Sequence, residues 1–271
     1  MHFFFSDIHV FPQYVIMRKM SSIEVELKKV RPKIEKLCDF LLLGKKIEVL
    51  GEKNIVREGP NIIVGNHCGT FKDAAIIFKI APRPIFFTAN KMIFNKDELT
   101  AMVRDHFQMH LKTFGYFLNL ALHPIISRLI NFLTSSLPKA GTIPVDLTRQ
   151  KKLAIEKCQE YLRKGRAIIA LQGNGRIGKN DPNPYVSPFR KGPSILSYNL
   201  YTEEDIPVAV TPLAFFGTQS PVFVPGKIRV NIGEPMYIAD YMAHDLATSV
   251  EKFRAAMEGK VKDLFMEIVK A

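Results

Sequence analysis

Residues 61–73 read Asn-Ile-Ile-Val-Gly-Asn-His-Cys-Gly-Thr-Phe-Lys-Asp. The β-branched run at 62–64 has the length and residue types of a buried strand, and the Gly-Asn pair after it ends that strand. His67 therefore lies where a strand emerges into a loop, which is where α/β proteins place many functional residues. Asp73 follows in the same loop or in the first turn of the next helix. Its carboxylate can accept a hydrogen bond from one imidazole nitrogen and so leave the other as a general base.

Two other interpretations of this stretch stay open at this point. A histidine and an aspartate in one loop are often unrelated polar residues, and the sequence of the loop does not decide between that and a dyad. Cys68, beside His67, offers a thiol nucleophile instead. We do not favour the thiol, because adjacent side chains of an extended segment point in opposite directions.

The composition favours a single globular domain with an anionic partner. The chain has 271 residues, of which 47% are hydrophobic, and this is enough for one large α/β domain with a sizeable core. Its formal net charge of +12 suits lipid headgroups, phosphorylated substrates or nucleic acid, and a solvated basic surface is the alternative. The sequence has no nucleic-acid motif and its basic residues are spread along the chain, so we expect lipid or phosphate and no nucleic acid.

The cysteines and the apolar runs bear on localisation. The three cysteines, Cys38, Cys68 and Cys158, are odd in number and widely spaced, which is typical of free thiols in a reducing compartment. No apolar run reaches the length of a membrane span, and the N-terminus lacks the pattern of a signal peptide. We therefore expect a cytoplasmic protein that binds peripherally to the cytoplasmic face of the membrane. The three phenylalanines at 3–5 either contact the bilayer or pack on the domain.

Hydrophobic periodicity predicts an α/β fold, a single domain with a mixed central sheet flanked by helices, over residues 45–271. Residues 1–44 are predicted to be a helical N-terminal extension and a candidate membrane contact. We expect helices at 21–43, 74–80, 91–137, 149–164 and 244–270 and from residue 193, and strands at 46–50, 62–64, 85–88, 167–171, 206–216 and 227–232. Proline at 32 and at 124 predicts a kink or a boundary inside two of these helices.

The segment 66–73 resembles the first motif of the glycerolipid acyltransferases, the family of 1-acylglycerol-3-phosphate acyltransferase. That motif reads Asn-His-x-Ser-x-x-Asp at the end of a strand. Asn66, His67 and Asp73 match it, and Thr70 takes the place of the serine. The family has four residues between the histidine and the aspartate, whereas this chain has five. Gly69 offers a position at which the loop can bulge to absorb the additional residue.

Further segments resemble the family's later motifs in the same order along the chain. The second motif, a strand ending in an acidic residue, resembles Gly141 to Asp146. The third, Phe-Pro-Glu-Gly-Thr-Arg-Ser, aligns with Leu171 to Arg176 at its arginine, although Gly173 replaces the glutamate. Its later part matches Phe-Arg-Lys-Gly at 189–192, and the fourth motif resembles the proline-containing strand at 206–216.

The resemblance implies acyl transfer from a thioester donor, acyl-CoA or acyl carrier protein, to a hydroxyl of a lysophospholipid or another lipid-like acceptor, as in phospholipid biosynthesis. It gives His67 the role of general base and Asp73 that of orienting it, with no cofactor besides the acyl donor. An anionic acceptor would be held by arginine, lysine and loop residues, namely Asn174, Gly175, Arg176, Arg190 and Lys191. The apolar segment 91–137 would then line an acyl groove or lie on a membrane, or else belong to the core.

No metal is expected. His106 and His110 lie one helical turn apart, as metal ligands often do, but the run His-Phe-Gln-Met-His lacks the glutamate of the zinc-protease motif. No residue elsewhere in the sequence suggests itself as a third ligand.

Two alternatives to catalysis by the dyad remain. Residues 173–180, Gly-Asn-Gly-Arg-Ile-Gly-Lys-Asn, satisfy a dinucleotide-binding pattern and nearly satisfy a P-loop, which would make the protein a nucleotide-binding enzyme using Gly173 to Lys179. Both motifs need a helix directly after the glycines, whereas Asp-Pro-Asn-Pro at 181–184 favours a turn. The other alternative is a catalytically silent relative that binds lipid, which the replaced glutamate and the longer loop favour.

Overall fold

The computed structural model describes residues 22–69, 71–146, 151–172, 185–221 and 224–270, without the side chains at 106–119, 121 and 151. Helices and strands alternate along most of these residues. The helices are α1 Ser22–Leu41, α2 Phe71–Ile80, α3 Lys96–Ser136, α4 Lys151–Arg163, α5 Gly192–Glu204 and α6 Leu246–Lys270. The strands are β1 Lys45–Leu50, β2 Asn61–Asn66, β3 Ile85–Asn90, β4 Ile143–Val145, β5 Ala167–Gln172, β6 Ala209–Phe216 and β7 Gly226–Ile232.

The described strands form one mixed seven-stranded sheet in the order β1-β7-β6-β2-β5-β3-β4. From β6 to β4 the neighbouring strands run parallel, whereas β7 is antiparallel to β6 and β1 is parallel to β7. This confirms the predicted α/β architecture, a single domain whose mixed sheet is flanked by helices. Because β2 lies between β5 and β6, its carboxyl end is enclosed by the ends of two parallel neighbours.

An apolar core lies on each face of the sheet. Strand β2 is buried along its whole length and contributes to both cores. Ile62 and Val64 pack into the core on the side of α4, α5 and α6. Ile63 points to the opposite face and joins the core that α1 and α2 cover. Burial of each such side chain stabilises the fold by about 1.5–3 kcal/mol. Because both faces of the strand are apolar, this stretch is fixed at the centre of the sheet.

Neither internal proline marks the boundary of a helix, and a kink at either one stays a prediction. α1 runs through Pro32 and α3 runs through Pro124 without a break in the helical assignment. A proline removes one backbone hydrogen bond, and here the helical turns on both sides outweigh that loss. α1 also packs against α2 and buries Leu27 and Cys38. The division of the chain at residue 44 stays a prediction, since residues 1–21 lie outside the described part.

Helix α3 is the longest element, with 41 residues and a length of about 60 Å. It follows a single 3-10 turn, Lys91–Phe94, after β3, and Asn95 caps its first turn by accepting from two backbone N–H groups. Across the described ranges, no helix has the length and hydropathy needed to cross a bilayer.

Candidate active site

The carboxyl ends of three parallel strands meet at one edge of the sheet. Asn66, the last residue of β2, is in register with Gln172, the last residue of β5. On its other side β2 pairs with β6, which ends at Phe216. In α/β proteins this edge is where ligands bind. His67, the first residue after β2, therefore lies at the centre of this edge.

His67 and Asp73 are hydrogen-bonded, with 2.8 Å between Nδ1 of the imidazole and Oδ2 of the carboxylate. The side chain of Asp73 is completely buried, whereas that of His67 is 27% exposed. A carboxylate only accepts hydrogen bonds, so Nδ1 carries the proton in the neutral imidazole and Nε2 has a free lone pair. The arrangement gives a base whose tautomer is fixed and whose ring remains partly open to solvent.

The loop and the helix after β2 hold Asp73 in place. Its Oδ2 also accepts a hydrogen bond of 2.9 Å from the backbone N–H of Gly69. Asp73 lies in the first turn of α2, where the positive end of the helix dipole stabilises a carboxylate. Its Oδ1 is buried without a hydrogen-bond partner among the described residues. Within the described part of the chain, the carboxylate is therefore held by two hydrogen bonds to a single oxygen.

Gly69 allows the loop after β2 to approach the loop after β6 closely. Its φ is not in the left-handed region, so the glycine is not required by its backbone conformation. It is required by proximity, because a Cβ on Gly69 would lie 2.3 Å from Cβ and 2.7 Å from the carbonyl oxygen of Thr218. The loop after β2 therefore packs directly on the loop after β6, and the N–H of Gly69 remains aimed at Asp73.

Asn66 has a structural role that the sequence analysis did not identify. Its side-chain Oδ1 accepts from the backbone N–H of Phe215 at 2.8 Å, and its Nδ2 donates to the carbonyl of Phe215 at 3.0 Å. The backbone pairing of β2 with β6 ends at Gly65 and Leu213. The side-chain carboxamide of Asn66 continues the hydrogen bonding between the two strands beyond that point. The position at which the chain leaves the sheet, just before His67, is thereby fixed. An asparagine at the end of an apolar strand indicates that its side chain needs polar partners, but it does not indicate which residue provides them.

Cys68 is unsuited to act as a nucleophile. Its Sγ accepts a hydrogen bond of 3.0 Å from Nδ2 of Asn66 and faces the carbonyl of Tyr185 at 3.6 Å. Burial, and next the nearby charge of Asp73, raise the pKa of the Cys68 thiol to about 12. Nucleophilic attack requires the thiolate, which is not populated near neutral pH at such a pKa.

The residues predicted to bind the acceptor fall into two groups. Asn174, Gly175 and Arg176 lie outside the described residues, as does the rest of the glycine-rich segment 173–180. Arg190 and Lys191 are described and lie directly before α5.

Arg190 is held at the same edge of the sheet as the dyad. Its backbone N–H donates to Oε1 of the buried Gln172 at 3.0 Å, which fixes the chain against the carboxyl end of β5. Within the described parts of the chain, its exposed guanidinium forms no ion pair, whereas Lys191 pairs with Glu251 of α6 at 3.2 Å. Of these two predicted residues, Arg190 therefore has the more available charge.

A second pair of charges lies at the ends of the outer strands. Nζ of Lys91, directly after β3, is 2.7 Å from Oδ2 of Asp146, directly after β4. Asp146 is buried, and it is the acidic residue of the segment that resembles the second family motif. β3 is two strands from β2, so this pair lies roughly 10 Å along the sheet from the dyad. Among the described residues, no group of three histidine, cysteine or acidic side chains could hold a metal ion.

Comparison of the sequence with protein-family models and with curated proteins gave no significant match. Comparison with solved structures found a similar fold in the 1-acyl-sn-glycerophosphate (LPA) acyltransferase PlsC from Thermotoga maritima. The TM-score is 0.50 and the sequence identity is 21%, over 92% of this chain and 84% of that chain. The chain therefore has the fold of this acyltransferase.

Proposed function

We propose that this protein is an acyltransferase that moves a fatty acyl group from a thioester, acyl-CoA or acyl carrier protein, to a hydroxyl of a lipid-like acceptor such as a lysophospholipid. The observation that carries the proposal is the hydrogen bond of 2.8 Å between His67 and the buried Asp73. This pair lies at the carboxyl edge of a sheet whose fold is shared with an LPA acyltransferase.

The proposed reaction is a direct transfer in which His67 is the base. Its Nε2 removes the proton of the acceptor hydroxyl as the oxygen attacks the thioester carbonyl carbon. The C–S bond breaks when the tetrahedral intermediate collapses, and the departing thiolate takes up the proton from the imidazolium. Asp73 stabilises the imidazolium while the proton resides on it. No acyl-enzyme forms in this scheme, which agrees with the protonated state of the Cys68 thiol at neutral pH.

The acceptor's anionic group is assigned to the basic residues around β5. Arg190 has an exposed guanidinium at the edge of the sheet where the dyad lies, and its planar fork suits phosphate oxygens. Arg176, with Asn174 and Gly175, belongs to the segment that begins directly after Gln172, the register partner of Asn66. Lys191 forms an ion pair with Glu251, so we expect it to contribute less than Arg190 to binding the acceptor.

Replacement of His67 by alanine tests the proposal. The assay follows transfer from labelled acyl-CoA or acyl carrier protein to a panel of lysophospholipids and uncharged monoacyl acceptors. His244→Ala is a matched control, because Nε2 of His244 is 2.6 Å from a carboxylate oxygen of Asp245 in an exposed pair. Loss of product in the first variant and wild-type turnover in the second are expected. Unchanged turnover in His67→Ala rules out the mechanism, and lipid binding without product in the wild-type protein identifies a silent relative.

A further inference from the structure

Two buried polar atoms beside the dyad have no hydrogen-bond partner within the described part of the chain, namely Oδ1 of Asp73 and Oγ1 of Thr218. Both residues are 0% exposed. An ionised carboxylate oxygen accepts hydrogen bonds, whereas a hydroxyl can donate one, so the two atoms are complementary. A buried polar group without a partner lowers stability, and a charged group does so most. A connection between these two atoms would satisfy both of them.

Gly69 contacts both residues. Its backbone N–H donates to Oδ2 of Asp73 at 2.9 Å, and an ideal Cβ on this glycine would lie 2.6 Å from Oγ1 of Thr218. The hydroxyl and the carboxylate therefore approach the same glycine, which has no side chain to separate them. Buried water molecules typically bind at such places, where polar groups have no other partner. One water molecule that accepts from the hydroxyl and donates to Oδ1 would join the two side chains.

The loop that carries Thr218 is tied to the helix that carries Asp73. Gly217 turns the chain directly after β6 with a φ of 90°, and a Cβ on it would lie 2.2 Å from a backbone oxygen of β7. Nζ of Lys72, in the first turn of α2, donates to the carbonyl of Ser220 at 2.8 Å. Because Lys72 directly precedes Asp73, this contact limits how far Thr218 can move relative to the carboxylate.

Packing alone is the other explanation for a threonine at this position. The side chain of Thr218 lies against Gly69, and valine has nearly the same shape without the hydroxyl. Replacing a buried hydroxyl that has no partner by a methyl group removes an unfavourable burial. A packing role therefore predicts that valine is tolerated or stabilising, whereas a hydrogen-bonding role predicts the opposite.

We propose that the hydroxyl of Thr218 donates, through one enclosed water molecule, to Oδ1 of Asp73, and that Thr218 is thereby a positioning residue of the dyad. With a partner on each oxygen, the carboxylate resists rotation, and Oδ2 keeps its hydrogen bond of 2.8 Å with His67. The connection itself requires no acyl transfer. Its effect on the reaction rests on the proposed function, in which His67 is the base.

Two substitutions at Thr218 separate the role of its hydroxyl from that of its methyl group. Thr218→Val keeps the shape and removes the hydroxyl, whereas Thr218→Ser keeps the hydroxyl and removes the methyl group. We expect Thr218→Val to lower kcat about tenfold with little change in KM, the loss that corresponds to one hydrogen bond. Thr218→Ser should stay within about twofold of the wild-type kcat. The reverse order, with the valine variant active and the serine variant impaired, overturns the proposal.

Thr211→Val is the matched control. Thr211 lies near the opposite end of β6, is 2% exposed, and accepts through Oγ1 from Nδ2 of Asn61 at 2.9 Å. Its replacement should lower stability and leave kcat at the wild-type value, because the lost hydrogen bond is remote from the dyad. A similar fall of kcat in Thr211→Val and Thr218→Val would indicate a general loosening of β6 and would overturn the assignment.

A double-mutant cycle on stability tests the connection without reference to acyl transfer. Urea denaturation is compared for the wild-type protein, Thr218→Val, Asp73→Ala and the double variant. Thr218→Val should raise the equilibrium constant for unfolding about fivefold or more in the wild-type background and much less in the Asp73→Ala background.

Equal effects of Thr218→Val in both backgrounds overturn the proposal. So does a Thr218→Val protein as stable as the wild type, and this comparison stands even if Asp73→Ala does not fold. Coupling between the two positions in a protein that transfers no acyl group would support the hydrogen-bonded connection and contradict only the proposed function.

Discussion

Asn66 binds both backbone groups of Phe215 through its side chain, and this contact closes the gap between β2 and β6 at the point where the chain turns toward His67. An equivalent contact lies at the opposite end of β2, where Nδ2 of Asn61 donates to the carbonyl of Ala209 and to Oγ1 of Thr211. Two buried carboxamides thus attach β2 to β6, and only one of them is beside the candidate active site.

The first prediction compares these two asparagines. Asn66→Ala removes both side-chain hydrogen bonds to the backbone of Phe215 and leaves its carbonyl only the long contact of 4.0 Å from Sγ of Cys68, which should cost about 2–4 kcal/mol of unfolding free energy. Asn61→Ala should cost a similar amount. Only Asn66→Ala should also lower kcat in the folded fraction, because it frees the segment that carries His67. Urea denaturation and kcat per folded molecule are the measurements, and equal kcat in both variants would show that Asn66 only stabilises the fold.

A second prediction separates the charge of Asp73 from its position. Asp73→Asn can place its amide oxygen where Oδ2 accepts from His67 and Gly69, and its amide nitrogen where Oδ1 has no partner among the described residues. The imidazole then keeps its tautomer but loses the charge that stabilises the imidazolium. We expect kcat to fall by about 10²-fold or more with little change in KM, and Asp73→Ala to fall further.

Steady-state kinetics over a range of pH check this prediction, with thermal denaturation as the test of folding. A rise in KM at constant kcat in Asp73→Asn would contradict the assigned role, because Asp73 is buried behind the imidazole and is not expected to contact the acceptor.

The third prediction concerns the packing of the loop after β2 on Thr218. A methyl group on Gly69 would overlap with both the side chain and the backbone of Thr218, so Gly69→Ala must displace the loop. We expect a loss of about 1–3 kcal/mol of stability from overpacking, and at least a tenfold lower kcat because the hydrogen bond from Gly69 to Asp73 is disturbed. Gly259→Ala on α6 is the control, since no heavy atom lies within 4 Å of its added Cβ.

The control should gain stability, by about 1 kcal/mol, as expected for alanine in place of glycine inside a helix. Wild-type kinetics in Gly69→Ala would mean that the loop can shift without separating His67 from Asp73.

A fourth prediction distinguishes Arg190 from Lys191. The exposed guanidinium of Arg190 forms no ion pair with the residues that the structure describes and can bind an anionic acceptor, whereas Lys191 pairs with Glu251. Arg190→Ala should raise KM for a phosphate-bearing acceptor about tenfold or more, which corresponds to one charged hydrogen bond. KM for an uncharged monoacyl acceptor should stay the same. Lys191→Ala should change KM for either acceptor much less. An equal effect of both substitutions on KM would contradict the different roles of Arg190 and Lys191.

The positions of most strands could be predicted from the sequence, because a buried strand depends on a local run of apolar residues. The length and the β-branched residues of the run before His67 indicate a buried strand, and the Gly-Asn pair indicates that the histidine follows its end. The contact of Asn66 with Phe215 could not be predicted, because 149 positions separate the two residues. The sequence alone did not decide whether His67 and Asp73 are hydrogen-bonded, because the loop between them has one residue more than the family motif. The structure has this hydrogen bond, and it packs the loop on Thr218. In the same way, the partner of Lys191 lies on a distant helix and no local pattern indicates it.

The last prediction concerns stability at alkaline pH. Burial raises the pKa of the Cys158 thiol from 9.0 to about 12. Between these values the unfolded chain loses this proton while the native protein keeps it, so the unfolded state binds fewer protons and stability falls as pH rises. Stability from this group is present below pH 9 and is lost progressively as the pH rises towards 12, with a loss on the order of 1 kcal/mol by pH 10.

Urea denaturation of the wild-type protein and of Cys158→Ala at pH 8 and pH 10 measures this contribution. The variant is expected to be less stable at pH 8, because Cys158 is packed in the core beside α5 and α6 and its sulfur would leave a small void. Its further loss between pH 8 and pH 10 should be smaller than that of the wild-type protein by about 1 kcal/mol. The remaining loss in the variant should come from other groups, including Cys38 and Cys68, whose pKa values burial also raises. Identical pH dependence in the two proteins would show that the thiol of Cys158 ionises as readily in the native state as in the unfolded chain.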